Sequence, residues 1–100
     1  MIKTYEKDQH LVVVLPARFD FKMADYFREI YHNHPPRSYH IDFSAVHSMD
    51  SAALGMLLLL REHCGGEQAR ITLKNCHGQL AQLLRIARFE QIFHTEPALS

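Results

Sequence analysis

One hundred residues, 47% hydrophobic and 22% charged, make one core-forming domain and argue against a disordered chain. Eleven basic residues balance eleven acidic ones, which leaves no electrostatic footprint for nucleic acid or an anionic membrane. Two cysteines exclude a disulfide framework and fit a reducing cytoplasm, while eight histidines will turn the chain positive near about pH 6.

The first residues, Met1–Asp8, mix charges and lack a secretory apolar core. Ile2–Lys7 reads as a short edge strand, and the β-branched run in His10–Leu15 as a buried one, ended by Pro16. Asp20 is placed to cap a helix whose apolar positions are Met23, Phe27, Ile30 and Tyr31, closed by Pro35-Pro36. Tyr39, Ile41 and Phe43 alternate with polar neighbours and predict a strand. A turn over 44–48 leads to Asp50-Ser51, the start of a helix running to about His63 and stopped by Gly65-Gly66. Its run Ala52–Leu60 falls well short of the about 18–20 residues a membrane span needs, so no membrane insertion is expected. Ala69, Ile71 and Leu73 alternate in a further strand, and Leu80, Leu83, Leu84 and Ala87 mark a third amphipathic helix. Phe89–His94 is expected to add a last strand and Glu96–Ser100 a frayed tail.

Alternating strands and helices imply parallel pairs joined by right-handed crossovers. The expected fold is a small two-layer α/β domain, a mixed four- to five-stranded sheet with helices mainly on one face. Its core spans about residues 10–94 of one domain covering 1–100. Strand-to-helix loops then share the carboxyl edge of the sheet, where open α/β sheets carry their sites. Pro16–Asp20, His47–Ser51 and Asn75–Gly78 belong to that edge, and Pro35-Pro36 and Cys64–Gly66 to the opposite one.

The most informative stretch is Met49-Asp50-Ser51-Ala52-Ala53-Leu54-Gly55. Asp50 or Ser51 caps the helix it opens, since a side-chain oxygen there satisfies an orphan N–H. The helix is apolar nearly all round, so part of Leu54–Leu60 should stay exposed and sticky. A helix-start serine beside such a patch suits a protein interface with a switch in it, because a phosphate adds about −1.5 to −2 charges.

These residues resemble the phosphorylation motif of single-domain STAS proteins, the anti-sigma factor antagonists of bacterial partner-switching systems. Leu15-Pro16-Ala17-Arg18-Phe19-Asp20 is similar to the same family's strand-end segment. The sequence departs from the family at Ala53, where glycine is usual, and at Ala17 and Arg18, where glycine and glutamate are usual. The resemblance implies a small mixed sheet backed by helices and a protein that is not an enzyme and needs no cofactor. It places Ser51 on the phosphorylated serine and Asp20 and Asp50 on the flanking acidic positions. Asp20, Asp50, Ser51, Ala52, Leu54 and Met56 are expected to share one partner-facing surface. The implied partners are an anti-sigma factor or related serine kinase of the histidine-kinase-like ATPase fold, bound when Ser51 is unmodified. A serine phosphatase of the metal-dependent type would reverse the modification. The alternative is a STAS subunit of an ABC-type lipid transport system, gripping its ATPase with no phospho-switch.

Other chemistry fits poorly. His63-Cys64 and Cys76-His77 lack zinc-finger spacing, and a strand's length of roughly 17–20 Å would separate them. Ser51 lacks the Gly-x-Ser-x-Gly elbow of a hydrolase; only His47 and His77 on the shared edge offer it a base.

Overall fold

A computed structural model describes residues 1–98. Its strands and α-helices run β1 (Lys3–Lys7), β2 (His10–Val14), β3 (Arg18–Phe19), α1 (Ala24–Tyr31), β4 (Tyr39–Asp42), β5 (Ser48–Met49), α2 (Ser51–His63), β6 (Ile71–Cys76), α3 (Gly78–Ile86) and β7 (His94–Pro97). The main sheet has the order β1-β2-β4-β6-β7, with β1 antiparallel to β2 and every other pair parallel. A two-residue turn, Asp8-Gln9, joins β1 to β2 with both residues at positive φ, 52° and 69°. This is the geometry whose twist matches a hairpin.

Alternation decides which face is covered. Val13, Ile41 and Leu73 lie in register across β2, β4 and β6, each at most 1% exposed. They join one cluster with Phe27 and Tyr31 of α1, Ala53, Met56, Leu57 and Leu60 of α2, and Leu80 and Leu84 of α3. The other set of positions, including His10, His40, Asp42, Thr72 and Lys74, faces away from that cluster. The result is the expected two-layer α/β fold, a mixed five-stranded sheet with three helices on one face. Phe19 is fully buried and meets Phe27 edge-on at 5.4 Å. Such a pair adds about 0.5–1.5 kcal/mol beyond its buried area.

Four local features differ from the sequence reading. The helix expected at Asp20 begins as a single 3-10 turn, Phe21–Met23, before α1. Residues 89–91 form a 3-10 turn rather than a strand, because Phe89 and Phe93 both turn inward to the core. The last strand therefore starts at His94 and takes in Glu96 and Pro97, which were expected in the tail. Of that tail, Leu99 and Ser100 lie outside the described residues. Finally, β3 and β5 pair in a two-residue parallel ladder apart from the main sheet, too short to leave a periodicity.

The end of α2 follows its sequence signal. Gly65 sits just past the helix at φ 100°, a left-handed conformation that glycine adopts without strain.

Candidate functional site

The small β3–β5 ladder builds the site. It sets Arg18 beside Ser48 and Phe19 beside Met49, so Asp20 and Asp50 emerge next to each other. Two backbone bonds to Ala17 O, from His47 N–H at 2.7 Å and Ser48 N–H at 3.1 Å, fasten the segments upstream.

The two aspartates then divide their work. Asp20 caps the 3-10 turn, accepting from Lys22 N–H at 3.0 Å. Asp50 caps α2, its Oδ1 accepting from Ala53 N–H at 3.0 Å. Its Oδ2 reaches across to accept from Phe21 N–H at 3.3 Å. One carboxylate thus ties the start of α2 to the turn before α1.

With Asp50 serving as cap, Ser51 becomes the first helical residue, and its side chain has no structural duty. It is exposed, and its hydroxyl makes no hydrogen bond among the described residues. Of the two histidines on this edge, His77 has its ring Nε2 engaged with the Phe43 carbonyl at 3.1 Å.

The outward face of α2 differs from expectation in one residue. Ala53, Met56, Leu57 and Leu60 point into the core, so Met56, at 6% exposure, does not belong to a partner-facing surface. A helix turns about 100° per residue, which carries Met56 some 140° round from Ser51 but Leu58 only about 20°. Leu58 and Leu59, 39% and 61% exposed, occupy the outer side instead. Leu54 is half-buried against the core and Ala52 is exposed. Phe21, 63% exposed beside Asp50, was missed because one continuous helix was read from Asp20 onward. A groove of about 400 Å³ continues the surface from His47, Ser48 and Met49 to Leu83 and Ile86 of α3.

Asp42, at the end of β4, is a further acid on this edge. Burial pushes its carboxyl up, but hydrogen bonds from Asn75 Nδ2 at 2.8 Å and Ser44 N–H at 2.9 Å outweigh that. The net shift is below the ordinary carboxylate range. At the opposite edge the Glu6 carboxylate pairs with Arg37. There His63 Nε2 is held by the His34 carbonyl at 2.8 Å, and burial raises the Cys64 thiol. Cys76, on the carboxyl edge, is pushed up to about 11 by burial. Thiols so raised are poor nucleophiles and poor metal ligands at neutral pH. Among the described residues no three His, Cys, Asp or Glu side chains come together to hold a metal ion. No helix there is long and apolar enough to cross a membrane.

Three comparisons bear on this arrangement. The family model described as "Mlab, STAS domain" matches residues 2–95. A STAS-domain containing protein of Pseudomonas aeruginosa (strain UCBPP-PA14) is 45% identical over 87 residues, covering 85% of this chain and 86% of that protein. Among solved structures, an anti-sigma-factor antagonist (STAS) domain protein from Planctomyces limnophilus superposes with a TM-score of 0.83 at 17% identity. That match covers 98% of this chain and 91% of the other. The phosphorylated form of the Bacillus cell fate determinant SpoIIAA gives 0.69 at 13% identity, over 95% and 90% of the two chains.

Proposed function

The chain belongs to the STAS domain family, and from that membership we propose that it is a non-enzymatic partner-switching regulator of the anti-sigma factor antagonist kind. Unmodified, it docks an anti-sigma factor or related serine kinase of the histidine-kinase-like ATPase fold through Asp20, Phe21, Asp50, Ser51, Ala52, Leu58 and Leu59. Phosphorylation of Ser51 by that kinase releases the complex, and a metal-dependent serine phosphatase resets it in the cytoplasm.

The observation that carries this reading is the division of labour between Asp50 and Ser51. Because Asp50 already satisfies the helix cap, Ser51 accepts a phosphate without losing a bond of the fold. The helix N-terminus favours negative charge, so the folded state tolerates the modification. A docked partner does not, since it must desolvate about −1.5 to −2 new charges or face them beside Asp50. One of the similar structures is an anti-sigma-factor antagonist by name and another is a cell fate determinant in its phosphorylated form, in keeping with this mode of action.

Affinity capture from the source cell tests it, with wild type, Ser51→Ala and Ser51→Asp as baits. Wild type and Ser51→Ala should retain an ATPase of the stated fold and Ser51→Asp should lose it. The purified ATPase with ATP should then add one phosphate to wild type and none to Ser51→Ala, read by intact mass. An ATPase retained equally by all three baits would instead favour the permanent transporter subunit.

A further inference from the structure

The uncovered face of the sheet carries a feature that the switch does not use. His10, at the start of β2, and His40, in β4, stack face to face with ring centroids 3.9 Å apart and planes 21° from parallel. Both rings are half-buried, over Val12, which is 5% exposed although no helix covers it. The Nδ1 atom of His10 is sealed from solvent and has no hydrogen-bond partner. We infer that this stacked pair is an acid-sensitive latch, holding the β1–β2 hairpin corner in place at neutral pH and loosening it as the histidines take up protons.

The chemistry of the ring sets the direction. A neutral imidazole leaves one nitrogen as an acceptor, but an imidazolium has two N–H donors. With the neutral ring's proton on Nε2, a proton added to His10 goes to Nδ1 and places an N–H where there is no acceptor, and an unmet buried donor is destabilising. A second proton on His40 sets two like charges one above the other. The surrounding charges give mixed help. Lys7 of β1 and Lys74 of β6 repel the added charge, while Asp8 in the turn, Asp42 of β4 and Glu96 of β7 attract it. Glu96 is already engaged, 3.6 Å from Lys74 and 3.5 Å from His94 Nε2. Tyr5 and Asn75 complete the surround without charge at neutral pH. Burial first, then His10 and Lys74, hold His40 below the ordinary histidine value. The native fold thus resists a proton that the unfolded chain accepts near about pH 6.5, so the stability present above that pH is lost as pH falls.

The part that yields is the corner nearest the pair. β1 is exposed along its whole length and pairs with β2 alone. Lys7 faces His10 directly across the turn. An edge strand with no buried side chain opens at the low end of the local stability range.

The test is a histidine NMR titration of the full chain from about pH 7.5 to 5, with amide hydrogen exchange at both ends, corrected for intrinsic rates. His40 should titrate below about 6.5. Amides of residues 3–7 should lose about tenfold or more in protection on acidification relative to those of 71–76. His10→Phe keeps the stacked ring without its proton, so its acid loss of protection at 3–7 should shrink to the part that His40 alone causes, and His40 should titrate higher. A His40 that titrates at the ordinary value, with unchanged relative protection, would overturn the latch. So would an undiminished acid effect in His10→Phe. The wild-type titration decides the matter alone if that variant does not fold.

Discussion

Helices α2 and α3 start at the same edge of the sheet and are held in different ways. α2 has a side-chain cap, Asp50, whose second oxygen also binds Phe21 N–H. α3 has none: His77 occupies the cap position with its ring turned back to the Phe43 carbonyl. α2 buries four residues yet keeps Leu58 and Leu59 outside, whereas α3 buries only Leu80 and Leu84. The difference teaches where a modifiable residue can sit. A serine next to a dedicated cap is free of structural duty, and an apolar helix continues the surface about 10–12 Å beyond it.

The two faces of α2 can be separated by truncation. Leu57 is fully buried and Leu59 is mostly exposed. Leu57→Ala should lose about 2–5 kcal/mol in urea unfolding. Leu59→Ala should stay within about 0.5 kcal/mol, as surface substitutions do. Similar losses for both would mean that the outer side of α2 is not a free surface.

The caps provide the next test. Asp50→Ala removes a helix cap and a bond to a second segment, so a loss of about 1–2 kcal/mol is expected. His77→Ala removes one bond to a carbonyl and should lose less, by about 0.5–1 kcal/mol. If the order of the two denaturation midpoints were reversed, the contrast between the helix starts would fail.

Gly55 has the opposite sign. It lies inside α2, and a Cβ there would meet nothing within 4 Å. Gly55→Ala should therefore raise stability by about 0.5–1 kcal/mol, measured by thermal melting. A destabilised Gly55→Ala would mean that the helix is more crowded than this.

The smallest effect concerns the entry to α3. Hydrogen bonds from Asn75 and Ser44 hold Asp42 below its ordinary range against the opposing push of burial. A depressed carboxyl contributes stability above the unfolded value, about pH 3.9, that is lost as pH falls through the folded one. Asn75→Ala should flatten the drop in stability between about pH 5 and 3, read as melting temperature against pH. An unchanged slope would remove Asn75 from that role.

Much of this was legible before any coordinates. A β-branched run in His10–Leu15 marked one strand, alternation around Tyr39–Asp42 and Ile71–Cys76 marked two more and their covered face, and Asp50-Ser51 marked the start of α2. What escaped is non-local or short. The β3–β5 ladder has two residues a side, so no period betrays it, yet it sets Asp20 and Asp50 side by side. The bond from Phe21 N–H to Asp50 spans 29 residues of chain and has no local signal. Phe89 and Phe93 looked like strand residues because burial in a 3-10 turn and burial in a strand leave the same apolar trace. In α2 nearly every residue is apolar, so composition did not reveal which side faces out, and Met56 was placed on the wrong one.

The central claim is that charge on Ser51 controls docking and leaves the fold alone. Titration of Ser51→Ala and Ser51→Asp against the captured ATPase, with melts of both variants, tests it most directly. The account predicts melting curves equivalent within about 0.5 kcal/mol, since Asp is tolerated at a helix N-terminus. It also predicts at least a tenfold weaker complex for Ser51→Asp, a loss of about 1.4 kcal/mol or more. Equal affinities from two folded variants would contradict it.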